Sequence, residues 1–247
     1  MRFSNAKRLY TDVACVQTEH GWSIHLDGRA LKTPAKAPFV APKAVAEAAA
    51  SEWRSQKERI DPLSMPVTRA VHTAIERIAP QRDAVIDEIA AFGATDLICY
   101  RAESPQALIA REQEAWDPLL DWARGALNAE LLCTNGVCHQ RQPQKSLDML
   151  RTHIVREPDL GLSALFDLTT LSGSLIIALA VAYQRLSPDE AWRRACIDET
   201  YQSELWGEDP EAMAKAEEKR RAFRDAAFLY DILRDGDRNK QGTAQNP

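Results

Sequence analysis

The sequence predicts an α+β fold, in which a small β-rich N-terminal domain is followed by a larger all-α C-terminal domain. Two observations predict it. The first forty residues alternate apolar and polar side chains in short runs, which is typical of half-buried strands. After Pro42 the apolar residues recur every three or four positions, as on one face of a helix. We therefore assign residues 1–62 to the β-rich domain, 63–235 to the helical domain and 236–247 to a disordered tail.

The first elements are the strands of a hairpin. Residues 13–17 form a short apolar run, and residues 22–26 alternate apolar with polar side chains. Asp27 and Gly28 then favour a type I′ turn, whose two central positions both need a positive φ. Residues 30–33 are the predicted returning strand.

The helices begin after the last of these strands. Pro42 suits the first helical position, and residues 43–57 are rich in Ala and Glu. A second helix is predicted from Thr68 and should end at Pro80, because proline removes a backbone donor and clashes with the preceding turn. A third continues to Gly93.

The middle of the chain continues in the same manner. Ser104 as N-cap and Pro105 as first helical residue predict another helix start. Residues 128–142 are irregular, and three helices are predicted after them, over residues 143–156, 159–171 and 172–186. The last contains an apolar stretch without a polar side, which predicts the centre of a core.

The helix after residue 187 carries the most unusual pattern. Ser187 and Glu190 form a capping box, and the helix is predicted to run to Trp206. On one helix, Trp192, Glu199 and Trp206 would share a face, because seven steps return to nearly the same direction. A buried carboxylate is costly unless it is paired. Glu199 should therefore either pair with an arginine inside the protein or meet a partner in a groove.

Composition excludes several classes of protein. The 247 residues include 31 Lys and Arg and 36 Asp and Glu, a net charge of −5, so the basic excess of a nucleic-acid binder is absent. The longest apolar run covers residues 175–183, against roughly 20 residues for a membrane helix, so no integral membrane segment is expected. No apolar segment near the start indicates a secretory signal.

Motifs of enzymes are missing as well. The chain has no GxGxxG, GxxxxGK[ST], HExxH or GxSxG, so we predict no nucleotide, no cofactor and no named catalytic residue. Cys133, Cys138 and His139 resemble half of a zinc site, but the second pair of ligands is missing nearby. We therefore expect free thiols and no bound metal. A nucleophilic pair of one cysteine and one histidine remains an alternative.

Four stretches together resemble a known family. They are SEWRSQKERIDPLSMPVTR (51–69), TDLICYRAESPQALIAREQEAWDPLLDWA (95–123), SGSLIIALAVA (172–182) and DETYQSELWGEDPEA (198–212). The sequence resembles the F1-ATP synthase assembly chaperones that attend the α subunit, called mitochondrial F1 complex assembly factor 2 in animals. The resemblance runs from Leu9 to Leu233.

The resemblance implies an ATP-independent assembly chaperone. Such a protein binds the free F1 α subunit, prevents its aggregation and yields it to the β subunit. The implied fold is a β-rich domain joined to a helical domain, in agreement with the pattern of residues. Because the family pattern starts almost at once, a long mitochondrial presequence does not fit, and we expect a bacterial member in the cytoplasm; the mitochondrial matrix is the equivalent compartment of eukaryotic members.

The resemblance also implies roles for motif residues. The partner-binding residues that we predict from it and from the helix pattern are Glu199, Trp206, Asp198, Trp192 and Arg101. The residues expected to be structural or to lie at the domain interface are Trp53, Trp116 and Asp117. Two alternatives remain: a hydrolase-type enzyme with an unrecognised carboxylate/His site, which predicts a deep polar pocket, and a non-catalytic adaptor.

Overall fold

A computed structural model describes residues 6–207 and 209–243, with side chains to residue 234. It confirms the α+β class, with a three-stranded antiparallel sheet followed by helices. The strands are β1 Val13–Thr18, β2 Gly21–Leu26, β3 Arg29–Ala30, β4 Tyr100–Arg101 and β5 Thr134–Asn135. The helices are α1 Lys43–Ser55, α2 Pro66–Thr73, α3 Arg82–Ala91, α4 Gln106–Ala126, α5 Gln144–Val155, α6 Asp159–Ser172, α7 Leu175–Ala182, α8 Pro188–Ala195, α9 Ile197–Trp206 and α10 Pro210–Thr243.

The chain forms two compact units, and neither follows the predicted boundary at residue 62. Unit 1 comprises Met1–Arg82, Asp159–Ala164 and Phe228–Pro247, and unit 2 comprises Asp83–Pro158 and Leu165–Ala227. Helix α10 continues to Thr243, inside the segment assigned to a disordered tail at 236–247; residues 244–247 lie outside the described residues.

A contact between α1 and α2 explains why unit 1 extends beyond residue 62. Glu52 Oε1 on α1 accepts the backbone N–H of Val67 at 2.7 Å, and Oε2 accepts that of Thr68 at 2.8 Å. These donors lie in the first turn of α2, where a helix has no partners of its own for them. The carboxylate thus caps α2 and holds it in the same unit as the sheet.

The predicted hairpin is confirmed. Asp27 and Gly28 have φ of 48° and 78°, as a type I′ turn requires, and β2 pairs with both β1 and β3. The Asp27 carboxylate accepts the backbone N–H groups of Thr11 and Asp12, which fixes the start of the sheet. Helix α1 packs on β1 and β2 through its apolar face.

Two predicted helix boundaries were wrong. Pro80 does not end the helical segment, because a π-helical turn at Ala74–Ile78 and a 3-10 turn at Ala79–Gln81 carry the chain into α3. Pro80 lies in the first turn of the 3-10 segment, where its missing N–H costs no bond. Helix α4 starts at Gln106 with Pro105 at the cap position, and the Ser104 side chain does not cap it.

The core of unit 2 surrounds α7, as predicted from its uniform apolarity. Seven of the eight α7 residues are buried. Gly173, with φ of 71°, ends α6, and the Ser174 hydroxyl then accepts the N–H of Ile177 at 3.0 Å to start α7. Buried Asp96 accepts the N–H of Ile176 at 3.0 Å. These side chains satisfy donors that no water can reach.

The predicted single helix from Ser187 to Trp206 is broken in two. Ser187 does cap α8, accepting the Glu190 N–H at 3.2 Å. Cys196 then leaves the helical conformation, with φ of −108° and ψ of 26°, and α9 starts at Ile197. The spacing of seven residues therefore does not place Trp192 on the face that carries Glu199 and Trp206.

Candidate functional site

Helix α9 offers the most exposed aromatic side chain of the described residues. No residue of α9 is buried. Trp206 is 85% exposed and Leu205 is 59% exposed. Gly207, with φ of 88°, ends the helix directly after them. Removing a large apolar side chain from water is favourable. An exposed Trp–Leu pair at a helix end is therefore a typical anchor for a partner protein.

The acidic end of α9 lies opposite that apolar end. Glu199 is exposed in the first turn of α9, where the helix dipole favours a negative charge. It does not lie between two tryptophans, as the one-helix pattern predicted. Trp192 is buried instead against Phe223, with ring centroids 5.6 Å apart. Of the three residues predicted to share one helix face, Glu199 and Trp206 are exposed and could contact a partner.

Asp198 turns inward from the same helix turn. Its Oδ1 atom is buried and receives no hydrogen bond from any described group. Its neighbour is the carboxyl group of Glu112 on α4, which is itself buried and accepts the Ala102 N–H at 2.9 Å. Burial, and then the charge of Asp198, raises the pKa of Glu112, although the hydrogen bond from Ala102 opposes the effect. The buried Glu112 carboxyl group therefore takes up a proton more readily than an exposed glutamate does.

Glu112 was not among the predicted site residues, although the sequence contained a signal for it. It falls four residues after Leu108 and four before Trp116, both buried on the apolar stripe of α4. An acid in line with such a stripe must be buried, and a buried acid needs a partner. The identity of that partner, Asp198, could not be predicted because it comes from a distant helix.

An exposed ion pair also joins α4 to α9. Arg111 Nη1 lies 2.8 Å from Glu204 Oε2, and the guanidinium lies 5.1 Å from the Tyr201 ring centroid. The hydrogen bond from Arg111 holds the pKa of Glu204 below its usual range. Together with the Glu112–Asp198 pair, this contact sets the direction in which α9 presents Trp206.

A groove of about 520 Å³ lies beside this contact. Its lining residues are Arg111, Glu114, Ala115, Glu190, Arg193, Arg194 and Ile197. Three cations and two anions make it a mixed-charge surface. Arg194 is held in place because its Nη1 donates to the Ala115 carbonyl at 2.8 Å and its Nη2 lies 2.5 Å from Glu190 Oε1. Glu112 does not line the groove.

Arg101, which was predicted to bind a partner, lies inside unit 2. It is buried, its Nε donates to the Ile98 carbonyl at 3.0 Å, and its Nη2 donates to Asp117 Oδ1 at 2.7 Å. Its guanidinium also lies 5.3 Å from the ring centroid of Trp116. Arg101 is therefore a structural residue that holds Ile98, Asp117 and Trp116 together, and we do not propose it as a partner contact.

The tryptophans predicted to be structural are buried. Trp116 is fully buried, and its Nε1 donates to the Arg194 carbonyl at 2.8 Å, near the end of α8. Trp53 is buried in unit 1 and packs edge-on against Tyr10, whose hydroxyl donates to the Trp53 carbonyl at 2.8 Å. A role of Trp53 in joining two domains stays a prediction.

The described residues offer neither a metal-binding cluster nor a membrane-spanning helix. They contain no group of three or more His, Cys, Asp or Glu side chains placed to hold a metal ion. Within residues 6–207 and 209–243, none of the helices has both the length and the apolar character for crossing a membrane.

Known proteins resemble this chain over most of its length. Residues 7–124 match the model of a family described as ATP12 chaperone protein. The chain is 42% identical to the crystallised Atp12 of Paracoccus denitrificans, with a TM-score of 0.89 over 92% of this chain and 98% of that chain. A crystallised chaperone candidate from Agrobacterium tumefaciens has the same identity and TM-score over 92% of this chain and 86% of that one.

Proposed function

Because this chain belongs to the ATP12 chaperone family, we propose that it is the assembly chaperone of the F1-ATPase α subunit. It binds the free subunit in the bacterial cytoplasm, keeps it from aggregating and yields it to the β subunit. It does so without ATP and without covalent chemistry. The observation that carries the proposal is the exposed end of α9, where Trp206 and Leu205 follow Glu204, the ion-pair partner of an arginine that lines the mixed-charge groove.

The chemistry of the client explains this combination. A subunit that has lost its neighbour exposes an apolar surface with a polar rim. A holding protein needs apolar anchors for the centre of that surface and charges of both signs for its rim. We assign the first role to Trp206 and Leu205, and the second to Glu199 and the arginines of the groove. Release follows by mass action, because the β subunit covers a larger part of the same surface.

The first experiment measures light scattering of purified F1 α subunit during mild heating, without nucleotide. The chaperone at a one-to-one ratio should suppress the scattering. Trp206→Ala should raise the apparent Kd at least tenfold, because removing an aromatic anchor from an interface commonly costs about 2 kcal/mol. Leu63→Ala, which truncates another exposed apolar residue in unit 1, is the control and should act like the unmodified protein.

Charge reversal tests the acidic end of α9 separately. Glu199→Lys should abolish binding while its circular dichroism stays unchanged and its Tm falls only slightly, because reversing an exposed charge in the first turn of a helix costs about 0.5–1 kcal/mol. Glu19→Lys in the exposed β1–β2 turn is the matched control. Normal binding by Glu199→Lys would remove this residue from the proposed surface. A failure of the unmodified chaperone to suppress scattering would reject the α subunit as its client.

A further inference from the structure

Two cysteines directly precede neighbouring strands of unit 2. Strands β4 and β5 pair in parallel, with Tyr100 opposite Thr134. Cys99, at the end of the 3-10 turn Leu97–Cys99, and Cys133 each precede these residues by one position, so the pairing of the strands brings the two cysteines close together. Neighbouring strands lie about 4.8 Å apart. That separation falls within the roughly 4.4–6.8 Å between the Cα atoms of disulfide-bonded cysteines.

The two thiols differ in surroundings and already interact. Cys99 is buried, whereas Cys133 is exposed, and their side chains are hydrogen-bonded to each other. The Arg101 guanidinium lies close to Cys133, with Nη2 3.8 Å from the Cys133 Sγ atom. Because Ile98 and Asp117 hold the same guanidinium, its positive charge stays beside Cys133.

This arrangement favours the thiolate of Cys133. The hydrogen bond from Cys99, followed by the Arg101 charge, lowers the pKa of Cys133 to about 6, although burial and Asp117 oppose the effect. The same hydrogen bond, burial and the Asp96 charge raise the pKa of Cys99. At neutral pH the pair therefore consists of an exposed thiolate and a buried thiol that donates to it. The thiolate is the nucleophilic form of cysteine.

We propose that Cys99 and Cys133 form a redox-active dithiol, in which exposed Cys133 is oxidised first and buried Cys99 closes an intramolecular disulfide. The role assignment follows from access, since an oxidant in solution can reach Cys133 and not Cys99. The neighbouring Arg101 serves as a positioning residue that keeps the Cys133 sulfur ionised. This proposal concerns thiol chemistry alone and stands whether or not the chain binds the F1 α subunit.

A hydroperoxide is the class of oxidant that this chemistry requires. The Cys133 thiolate attacks one peroxide oxygen, so an S–O bond forms and the O–O bond breaks, and the departing alkoxide takes a proton from water to become an alcohol. Cys99 sulfur then attacks Cys133 sulfur, the S–O bond breaks, and hydroxide leaves with the Cys99 proton as water. The hydroxide left after water protonates the alkoxide is neutralised by the proton that Cys133 released on ionising, so in total two thiols and one hydroperoxide give a disulfide, an alcohol and water.

The disulfide would alter a defined part of unit 2. It would link Cys133, in the irregular segment before β5, covalently to Cys99, directly before β4. It would also convert the Cys133 thiolate, which faces Arg101, into an uncharged sulfur. A thiol such as glutathione can reach Cys133 and reverse the reaction. Disulfides of this kind in reducing compartments are typically transient and regulatory.

The test exposes the reduced full-length protein to stoichiometric hydrogen peroxide and maps the products by mass spectrometry. The unmodified protein and the control Cys138→Ser, which alters another exposed cysteine in the same segment, should form a Cys99–Cys133 disulfide. Cys133→Ser should form none. Cys99→Ala should stop at a Cys133 sulfenic acid that dimedone traps. Peptide mapping of the unmodified protein gives the central result without relying on the fold of any variant.

Alkylation rates provide the second readout. At pH 6 iodoacetamide should modify Cys133 about ten times faster than it modifies free glutathione, since the larger thiolate fraction outweighs the lower nucleophilicity of a low-pKa sulfur. The rate for Cys133 should rise with a midpoint near pH 6. A midpoint near the ordinary thiol value, or peroxide products that join other cysteines or leave Cys99 and Cys133 unlinked, would overturn the proposal.

Discussion

At the scale of single residues, buried acids mark where unit 2 depends on pH. Asp96 is fully buried, and burial raises its pKa from 3.8 to about 6 despite hydrogen bonds from Ser174, Ile176 and Ile98. The native state thus holds a proton that the unfolded chain releases near pH 4. The stabilisation from this proton is complete below pH 4 and is lost as the pH rises through about 6.

Asp96→Asn should flatten this part of the pH profile. Between pH 4 and 7 the variant should lose about 3 kcal/mol less stability than the unmodified protein, since each pKa unit corresponds to about 1.4 kcal/mol. It should also be less stable at pH 4, because an amide cannot accept from both Ile98 and Ile176. Urea unfolding at the two pH values measures both effects. Asp83→Asn, at an exposed acid on α3, should retain the original pH dependence.

The Glu112–Asp198 pair leads to a prediction of opposite sign at neutral pH. Glu112→Gln should raise the free energy of unfolding at pH 7 by about 1 kcal/mol, because an amide can donate to the empty Asp198 Oδ1 and still accept from Ala102. Thermal unfolding at pH 7 measures the gain. Glu114→Gln, at an exposed position on the same helix, should leave Tm unchanged. A loss of stability in Glu112→Gln would show that the amide does not find the donor contact to Asp198 that this prediction requires.

At the scale of elements, local signals predicted some features well and failed where distant contacts decide. The hairpin turn and the start of α8 depend on two to four consecutive residues, so Asp27, Gly28 and Ser187 were sufficient to predict them. The break at Cys196 has no such local marker. It goes with the burial of Trp192 against Phe223 on α10, a contact that no spacing within α8 and α9 can reveal. Differences in helix propensity are small, and tertiary packing of this kind commonly overrides them.

The cap of α8 can be tested as an element. Ser187→Ala removes the acceptor for the Glu190 N–H and should cost about 1 kcal/mol of stability. Thermal denaturation followed by circular dichroism should show a lower Tm. Ser203→Ala, at an exposed position within α9, is the matched control and should change Tm little. Equal Tm values for the two variants would mean that packing alone fixes the start of α8.

At the scale of the whole molecule, a chaperone that acts by mass action should be stoichiometric and selective. Half-suppression of α-subunit scattering should follow the free concentration of the chaperone and be unaffected by ATP. Reduced insulin, an unrelated aggregating protein, should scatter light equally with and without it. Protection of insulin at the same concentration would indicate unspecific adsorption to exposed apolar residues.

The sequence predicted the class of this fold better than its partition. Strands near the start and helices after them follow from local periodicity, and the structure has both. The division into units depends on which helix packs with the sheet, which the Glu52 cap of α2 decides. Of the predicted partner-binding residues, Glu199 and Trp206 are exposed, whereas Arg101 and Trp192 are buried. The family resemblance marked Arg101 as important without stating which way it faces, and the spacing that selected Trp192 assumed one helix where there are two.

The discontinuous make-up of unit 1 has a consequence for synthesis on the ribosome. Its sheet and first helices emerge early, yet Leu229 and Tyr230, which are buried in the finished protein, emerge only after all of unit 2. Unit 1 therefore lacks the segment that contains Leu229 and Tyr230 for as long as unit 2 is being translated. During that interval the core of unit 1 is incomplete, and part of its apolar surface stays exposed to solvent.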